Sequence, residues 1–179
     1  VALLNSRGGK AVGISGVDGS LLVGKIKRKE MGYVGTVTSV NIAILDTLVN
    51  SGFIPVVAPL SIYSPGGSDG EPQILNVNGD TVAGEIAAAI GAERLIFLTD
   101  VDGIHDKQDN LILRLSPDEA EELLASEVAS GGMIPKLRAC LKALSQSSTA
   151  SIIGGKNPHA LLREIEGDEL GTTIRANIG

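Results

Sequence analysis

Asp80-Thr81-Val82-Ala83-Gly84-Glu85-Ile86-Ala87-Ala88-Ala89-Ile90-Gly91 and, three residues on, Arg94-Leu95-Ile96-Phe97-Leu98-Thr99 decide the fold. The first stretch is a small-residue helix stopped by glycine, and the second is a short apolar strand bounded by polar turns. The same alternation continues toward the carboxyl end. A strand at 111–115 leads into Ser116-Pro117-Asp118-Glu119, a capping box with proline at the first helical position, which opens a helix at 117–124. Helix 134–146, strand 150–153, helix 158–165 and strand 172–176 follow.

Upstream, 10–15 reads as a buried strand ending in the turn Gly16-Val17-Asp18-Gly19, and 21–27 and 33–38 read as two short strands. Lys27-Arg28-Lys29-Glu30 between them is read as a solvated hairpin tip. Ile42, Leu45, Leu48 and Val49 give helical spacing over 40–49, closed near Gly52, and 53–58 is a continuous apolar strand. Strands alternating with helices imply an α/β fold: a mainly parallel central sheet sandwiched by helices in three α/β/α layers. Ligands in such sheets sit at the carboxyl ends of strands, beside the amino ends of helices.

The 179 residues are 43% hydrophobic and 20% charged, a globular composition, yet only 2% are aromatic, so the core must be aliphatic. A net charge of −6 and the lack of aromatic stacking platforms argue against nucleic acid as a partner. No apolar run approaches the roughly 20 residues that a membrane span needs. One cysteine, Cys140, and no signal-peptide pattern fit a cytoplasmic location, or a plastid or other organelle stroma if a transit peptide has been removed. Val1 to Ser6 reads as the end of a helix without an N-cap, so the chain is expected to open inside a longer polypeptide.

Three places could carry chemistry. Asn76-Val77-Asn78-Gly79-Asp80 gathers short polar side chains at a strand-to-helix junction, where backbone N–H groups can bind an anion; an Asp80 N-cap with Asn turns explains it equally well. Thr99-Asp100-Val101-Asp102-Gly103-Ile104-His105 follows an apolar strand where a base or ribose could rest, with an ordinary Asx turn as the alternative. Gly131-Gly132-Met133-Ile134-Pro135-Lys136 places Lys136 in the first turn of a helix. A cation is disfavoured there by some tenths of a kcal/mol unless a polyanion binds. No GxxxxGK[ST] or GxGxxG pattern occurs, and no strand-to-helix GxSxG elbow supports serine catalysis. Neither His105 nor His159 has a Cys or carboxylate at ligand spacing, so no protein metal ligand is expected.

Together these stretches, with Gly52-Phe53-Ile54-Pro55-Val56-Val57-Ala58-Pro59 and Gly171-Thr172, resemble the amino-acid kinase superfamily, and within it the N-acetylglutamate kinases of arginine biosynthesis. Gly79 stands where that family usually has Ala. The resemblance implies a remnant of the substrate lobe at 1–78, a nucleotide lobe at 79–179, and phosphorylation of the N-acetyl-L-glutamate side-chain carboxylate by ATP. Mg2+ would ride on the ATP phosphates. It implies that Asn76 contacts the substrate, Asp80 organises catalytic lysines and Lys136 stabilises the transferring phosphoryl group. Thr99 to His105 and Val128-Ala129-Ser130 would hold the nucleotide. His159 and Glu169 are candidates for binding arginine as an inhibitor, with the Glu meeting its guanidinium. Full-length members form homo-oligomers. The family's first catalytic lysine and glycine-rich phosphate loop have no counterpart here, so the chain alone is expected to be inactive. A carrier-bound aminoadipate kinase, another amino-acid kinase, or a non-catalytic nucleotide or amino-acid binding module are the alternatives.

Overall fold

The computed structural model describes residues 1–63, 71–126, 131–146 and 149–175. The chain folds as two units, Val1–Val82 and Ala83–Gly179.

In the first unit, helix α1 (Ala2–Ser6) is tied to strand β1 (Ala11–Ser15) by one side chain. Asn5 donates to the Ala11 carbonyl at 3.0 Å and accepts from its N–H at 2.6 Å, standing in for a neighbouring strand. Strands β2 (Leu22–Ile26) and β3 (Gly35–Val40), helix α2 (Ala43–Asn50), and strands β4 (Ile54–Ala58), β5 (Leu60–Tyr63) and β6 (Gln73–Asn76) follow. β1 and β4 pair in parallel, while a second sheet runs β3-β2-β5-β6 over fully buried Leu21, Leu22 and Leu75. The basic tip at 27–30 is exposed, as a solvated connection should be. Helix α3 (Gly79–Ile90) opens at the end of this unit.

The second unit contains β7 (Arg94–Thr99), β8 (Ile104–His105), β9 (Leu111–Ile112), β10 (Arg114–Leu115), α4 (Pro117–Ala125), α5 (Met133–Leu144), β11 (Thr149–Gly154), α6 (Ala160–Glu166) and β12 (Gly171–Ile174). Its sheet runs β10-β12-β11-β7, with β8 and β9 forming a separate hairpin. Phe97, Leu115, Ile152 and Ile174 of the sheet pack with Ala120 of α4 and Leu137 and Cys140 of α5 in one core that is aliphatic apart from Phe97. The expected capping box is formed. Ser116 Oγ accepts from the Glu119 N–H at 3.2 Å, and a Glu119 oxygen accepts from the Ser116 N–H at 2.7 Å. The Ser116 N–H, and after it the Ser116 hydroxyl, holds the Glu119 carboxyl below its ordinary value.

The α/β class read from the sequence holds, although four described strand pairings are parallel and four antiparallel, so the sheets are mixed. Three details differ. The strand expected at 111–115 is broken at Leu113, whose carbonyl accepts from Thr173 N–H at 2.9 Å; β9 turns to pair with β8 and β10 with β12. The helix expected from 158 starts at Ala160, because His159 has a left-handed φ of 60° that no helix interior accepts. The strand expected at 53–58 forms, but Ile54 and Val56 remain 48% and 38% exposed. Among the described residues no helix is long and apolar enough to cross a membrane.

Candidate functional site

β7 and β11 run in parallel with Leu98 opposite Ile153 and Thr99 opposite Gly154, so their carboxyl ends lie side by side. The Gly155 N–H donates to the Thr99 carbonyl at 2.8 Å and holds the two following loops together. Beside them opens a cavity of about 1170 Å³. Its walls are the whole stretch from Thr99 to Lys107, the start of α5 at Gly132, Met133 and Lys136, and Gly154, Lys156 and Asn157 beyond β11. This is where parallel strands and a helix amino end present ligand-binding groups together.

The loop from Asp100 to Gly103 is fixed from beneath by β12. Thr172, fully buried, accepts from the Ile104 N–H at 2.8 Å and donates to the Ile112 carbonyl at 2.6 Å, so one hydroxyl spans both strands of the β8–β9 hairpin. Neighbouring positions leave no room for side chains. A Cβ at Gly171 would run into the Ile152 carbonyl oxygen and lie 2.6 Å from that of Asp102, and a Cβ at Gly103 would sit 2.8 Å from Thr172 Oγ1. Glycine at both places lets loop and strand touch.

His105 closes the hairpin from the side. Its Nε2 is 2.8 Å from an Asp102 carboxylate oxygen, and its Nδ1 is 3.1 Å from both the carbonyl and a carboxylate oxygen of Asp109. The expectation that no carboxylate stands near His105 is therefore corrected. The acids lie three residues before and four after it in sequence, and the hairpin turn folds both onto the ring. The Asp102 hydrogen bond chiefly, with those from Asp109, raises the His105 pKa above its ordinary 6.5. The same bond lowers that of Asp102. Asp106 closes the turn, accepting from the N–H groups of Gln108 at 2.9 Å and Asn110 at 2.8 Å.

Lys136 lies in the first turn of α5, as the sequence predicts, and lines the cavity with the loop at 99–105. Pro135 is accommodated because the first N–H groups of a helix have no intrahelical acceptor. Val128, Ala129 and Ser130 lie outside the described residues. Asn76 and Asp80 belong to the first unit. Asn76 ends β6 and donates its N–H to the Tyr33 carbonyl at 2.8 Å. The cap of α3 is Asn78 rather than Asp80: the Asn78 side-chain oxygen accepts from the Thr81 N–H at 3.0 Å, and Asp80 sits inside the first turn. Glu169 already meets a guanidinium, that of Arg114, at 2.5 and 2.7 Å, while exposed His159 precedes α6.

Sequence reasoning gave no role to Lys156, Lys107 or Thr172, although Gly171-Thr172 was among the stretches that carry the resemblance. The signal for Lys156 was available: Gly154-Gly155-Lys156 follows an apolar strand just as the loop after β7 does. Nothing local marks Thr172, whose partners are about 60 to 68 residues away.

Comparison with known proteins places these features in a family. The amino acid kinase family matches residues 1–155. Curated acetylglutamate kinases of Dehalococcoides mccartyi and Nostoc punctiforme are each 48% identical over 97% of the chain, which spans 64% and 58% of their lengths. Among solved structures, N-acetylglutamate synthase from Neisseria gonorrhoeae, complexed with coenzyme A and N-acetyl-glutamate, superposes with a TM-score of 0.82 at 25% identity. That match covers 99% of this chain and 40% of the synthase. Giardia carbamate kinase shares the fold with a TM-score of 0.72 at 14% identity, over 98% of this chain and 65% of its own.

Proposed function

Because the chain belongs to the amino acid kinase family, we propose that it is part of an acetylglutamate kinase and that the cavity between the β7 loop and α5 takes the nucleotide. The observation that carries this is the pairing of Lys136 and Lys156 with the amino end of α5 around one opening. Lysines and unsatisfied helix N–H groups together favour a polyphosphate. The residues present also fit Mg2+ entering on those phosphates, since the anionic Asp100 and Asp102 border the same space.

In the proposed reaction an oxygen of the N-acetyl-L-glutamate side-chain carboxylate attacks the γ-phosphorus of ATP. The bond from that phosphorus to the β,γ-bridging oxygen breaks, leaving an acyl phosphate and ADP. Little covalent work falls to the protein in phosphoryl transfer; positioning and charge do most of it. Lys136 balances negative charge on the transferring group, and Asp100 to His105 hold the nucleoside end. Asn76 meets the amino-acid substrate and Asp80 orders the catalytic lysines. Bound Mg2+ supplies charge neutralisation on the phosphates.

The first test is MgATP binding to the 179-residue chain by calorimetry and thermal shift. Binding should rise above background in the wild type and fall at least about tenfold in Lys136→Ala, the order expected for one lost charge-assisted phosphate contact. Absence of binding at millimolar MgATP overturns the nucleotide reading. The melting experiment repeated with arginine tests the inhibitor site at His159 and Glu169. There arginine must displace Arg114 from Glu169, and a melting temperature that does not rise with arginine concentration excludes that site.

A further inference from the structure

Helix α5 brings Lys136 to the cavity in its first turn, and its position is set from two directions. Toward the sheet, Leu137 and Cys140 are fully buried in the core that holds Phe97 and Ile152, a packed layer with little room to give. Toward α3, the helix meets Gly84. A Cβ at that position would lie 2.7 Å from the Ala139 carbonyl oxygen, 2.8 Å from the Ala139 Cα and 2.9 Å from its Cβ. All three are well inside the roughly 3.5–4.0 Å of an ordinary non-bonded contact. Two of the three atoms are backbone, which cannot swing aside as the tip of a side chain can.

The rest of α3 shows that the glycine answers to this crossing. Ala83, Ala87, Ala88 and Ala89 surround it with the residue that helices favour most, and glycine is markedly less favourable in a helix interior. The helix on this side has no slack either, because Ala83 packs against the same core as α5. Glu85, the residue after Gly84, pairs with Lys142 of α5 at 3.2 Å and fixes the crossing one turn further along. Ala139 stands three residues after Lys136, about one turn of helix, so a shift forced on its backbone is carried to the lysine.

We propose that Gly84 is a positioning residue of the nucleotide site: by letting α5 lie directly against α3, it fixes where the first turn of α5, with Lys136, meets the phosphates. The inference rests on the nucleotide reading above. Gly84 acts through Lys136 and touches no ligand itself.

The experiment measures MgATP and adenosine binding by calorimetry, well below the melting temperature, in the wild type and in Gly84→Ala. The variant should bind MgATP roughly threefold to tenfold more weakly, up to the loss expected for Lys136→Ala, because a displaced lysine forfeits part of a charge-assisted contact. Adenosine has no phosphate for Lys136 to meet and should bind both proteins alike, whereas a merely loosened fold would weaken both ligands together. In a Lys136→Ala background, Gly84→Ala should cost MgATP binding nothing further. Should Gly84→Ala not fold, Ala139→Gly takes its place: it opens the crossing instead of crowding it, and should weaken MgATP about twofold to fivefold while sparing adenosine. Unchanged MgATP affinity in the folded variant, an equal loss for adenosine, or an undiminished loss without Lys136 overturns the proposal while leaving nucleotide binding intact. If the wild type binds no MgATP, the nucleotide reading falls and this proposal with it.

Discussion

Strands β4 and β11 carry the same kind of sequence and meet different fates. Ile54-Pro55-Val56-Val57-Ala58 and Ala150-Ser151-Ile152-Ile153-Gly154 are both near-continuous apolar runs, the pattern of parallel strands covered on both faces. In β11 this happens: Ala150, Ile152 and Ile153 have no exposed surface, and β7 and β12 flank it. Among the described residues β4 pairs only with β1, and its alternate residues stay exposed. An apolar run thus states what a strand is able to bury. Its neighbours decide what it does bury.

The sharpest way to break that contrast is truncation at matched positions. Ile152→Ala removes fully buried methylenes from the core and should cost about 2–5 kcal/mol, enough to remove much of a domain's stability. Val56→Ala, at a position 38% exposed, should cost less than about 1 kcal/mol, because part of the side chain never left water. Urea midpoints of the two variants measure the difference. Equal losses would mean that β4 is as deeply packed in solution as β11.

A smaller effect probes the tie beneath the hairpin. Thr172→Val keeps the shape but removes the hydroxyl that accepts from Ile104 N–H and donates to the Ile112 carbonyl. It leaves a buried donor and acceptor unpaired, at a cost of about 1–3 kcal/mol. Because those groups belong to the cavity wall, MgATP binding should weaken in the same variant. Unchanged urea midpoint and binding would show that water or a backbone shift replaces the hydroxyl.

Much of this architecture was legible because its signals are local. Gly91 after a small-residue helix, the Ser116–Glu119 capping box and the apolar run at 94–99 each encode an element within a few residues, and Lys136 was marked by the helix start that surrounds it. The hairpin was not legible. Strands β8 and β9 have two residues each, below the length at which alternation can register, and they exist because Thr172 and His105 collect partners from distant or turned-back segments. Lys156 was missed although its Gly-Gly-Lys context repeats the strand-then-loop logic that singled out residues 99–105. The exposure of Ile54 and Val56 was unreadable in principle, since alternation is absent from a run of uniformly apolar residues and only pairing reveals which face is covered.

The smallest effect separates the two strands' surroundings by pH. Among the described residues nothing titratable pairs with β4, whereas the hairpin beside β7 is held by groups whose protonation differs between folded and unfolded chains. His105 is raised by Asp102 first and Asp109 next, so its contribution is complete below its unfolded value near 6.5 and is lost as pH climbs through the higher folded value. Asp102 is lowered by His105, so its contribution is complete above its unfolded value near 3.8 and is lost as pH falls through the lower folded value. The hairpin is therefore held best between those two unfolded values. Amide exchange at Ile104, corrected for the intrinsic pH dependence of exchange, should be most protected in that window and less protected above pH 7, while amides of β4 should show no such optimum. The groups are solvent-accessible, which keeps the change modest. An Ile104 amide with flat protection from pH 5 to 9 would mean that Thr172 alone holds the hairpin and that the His105 bridge adds nothing to it.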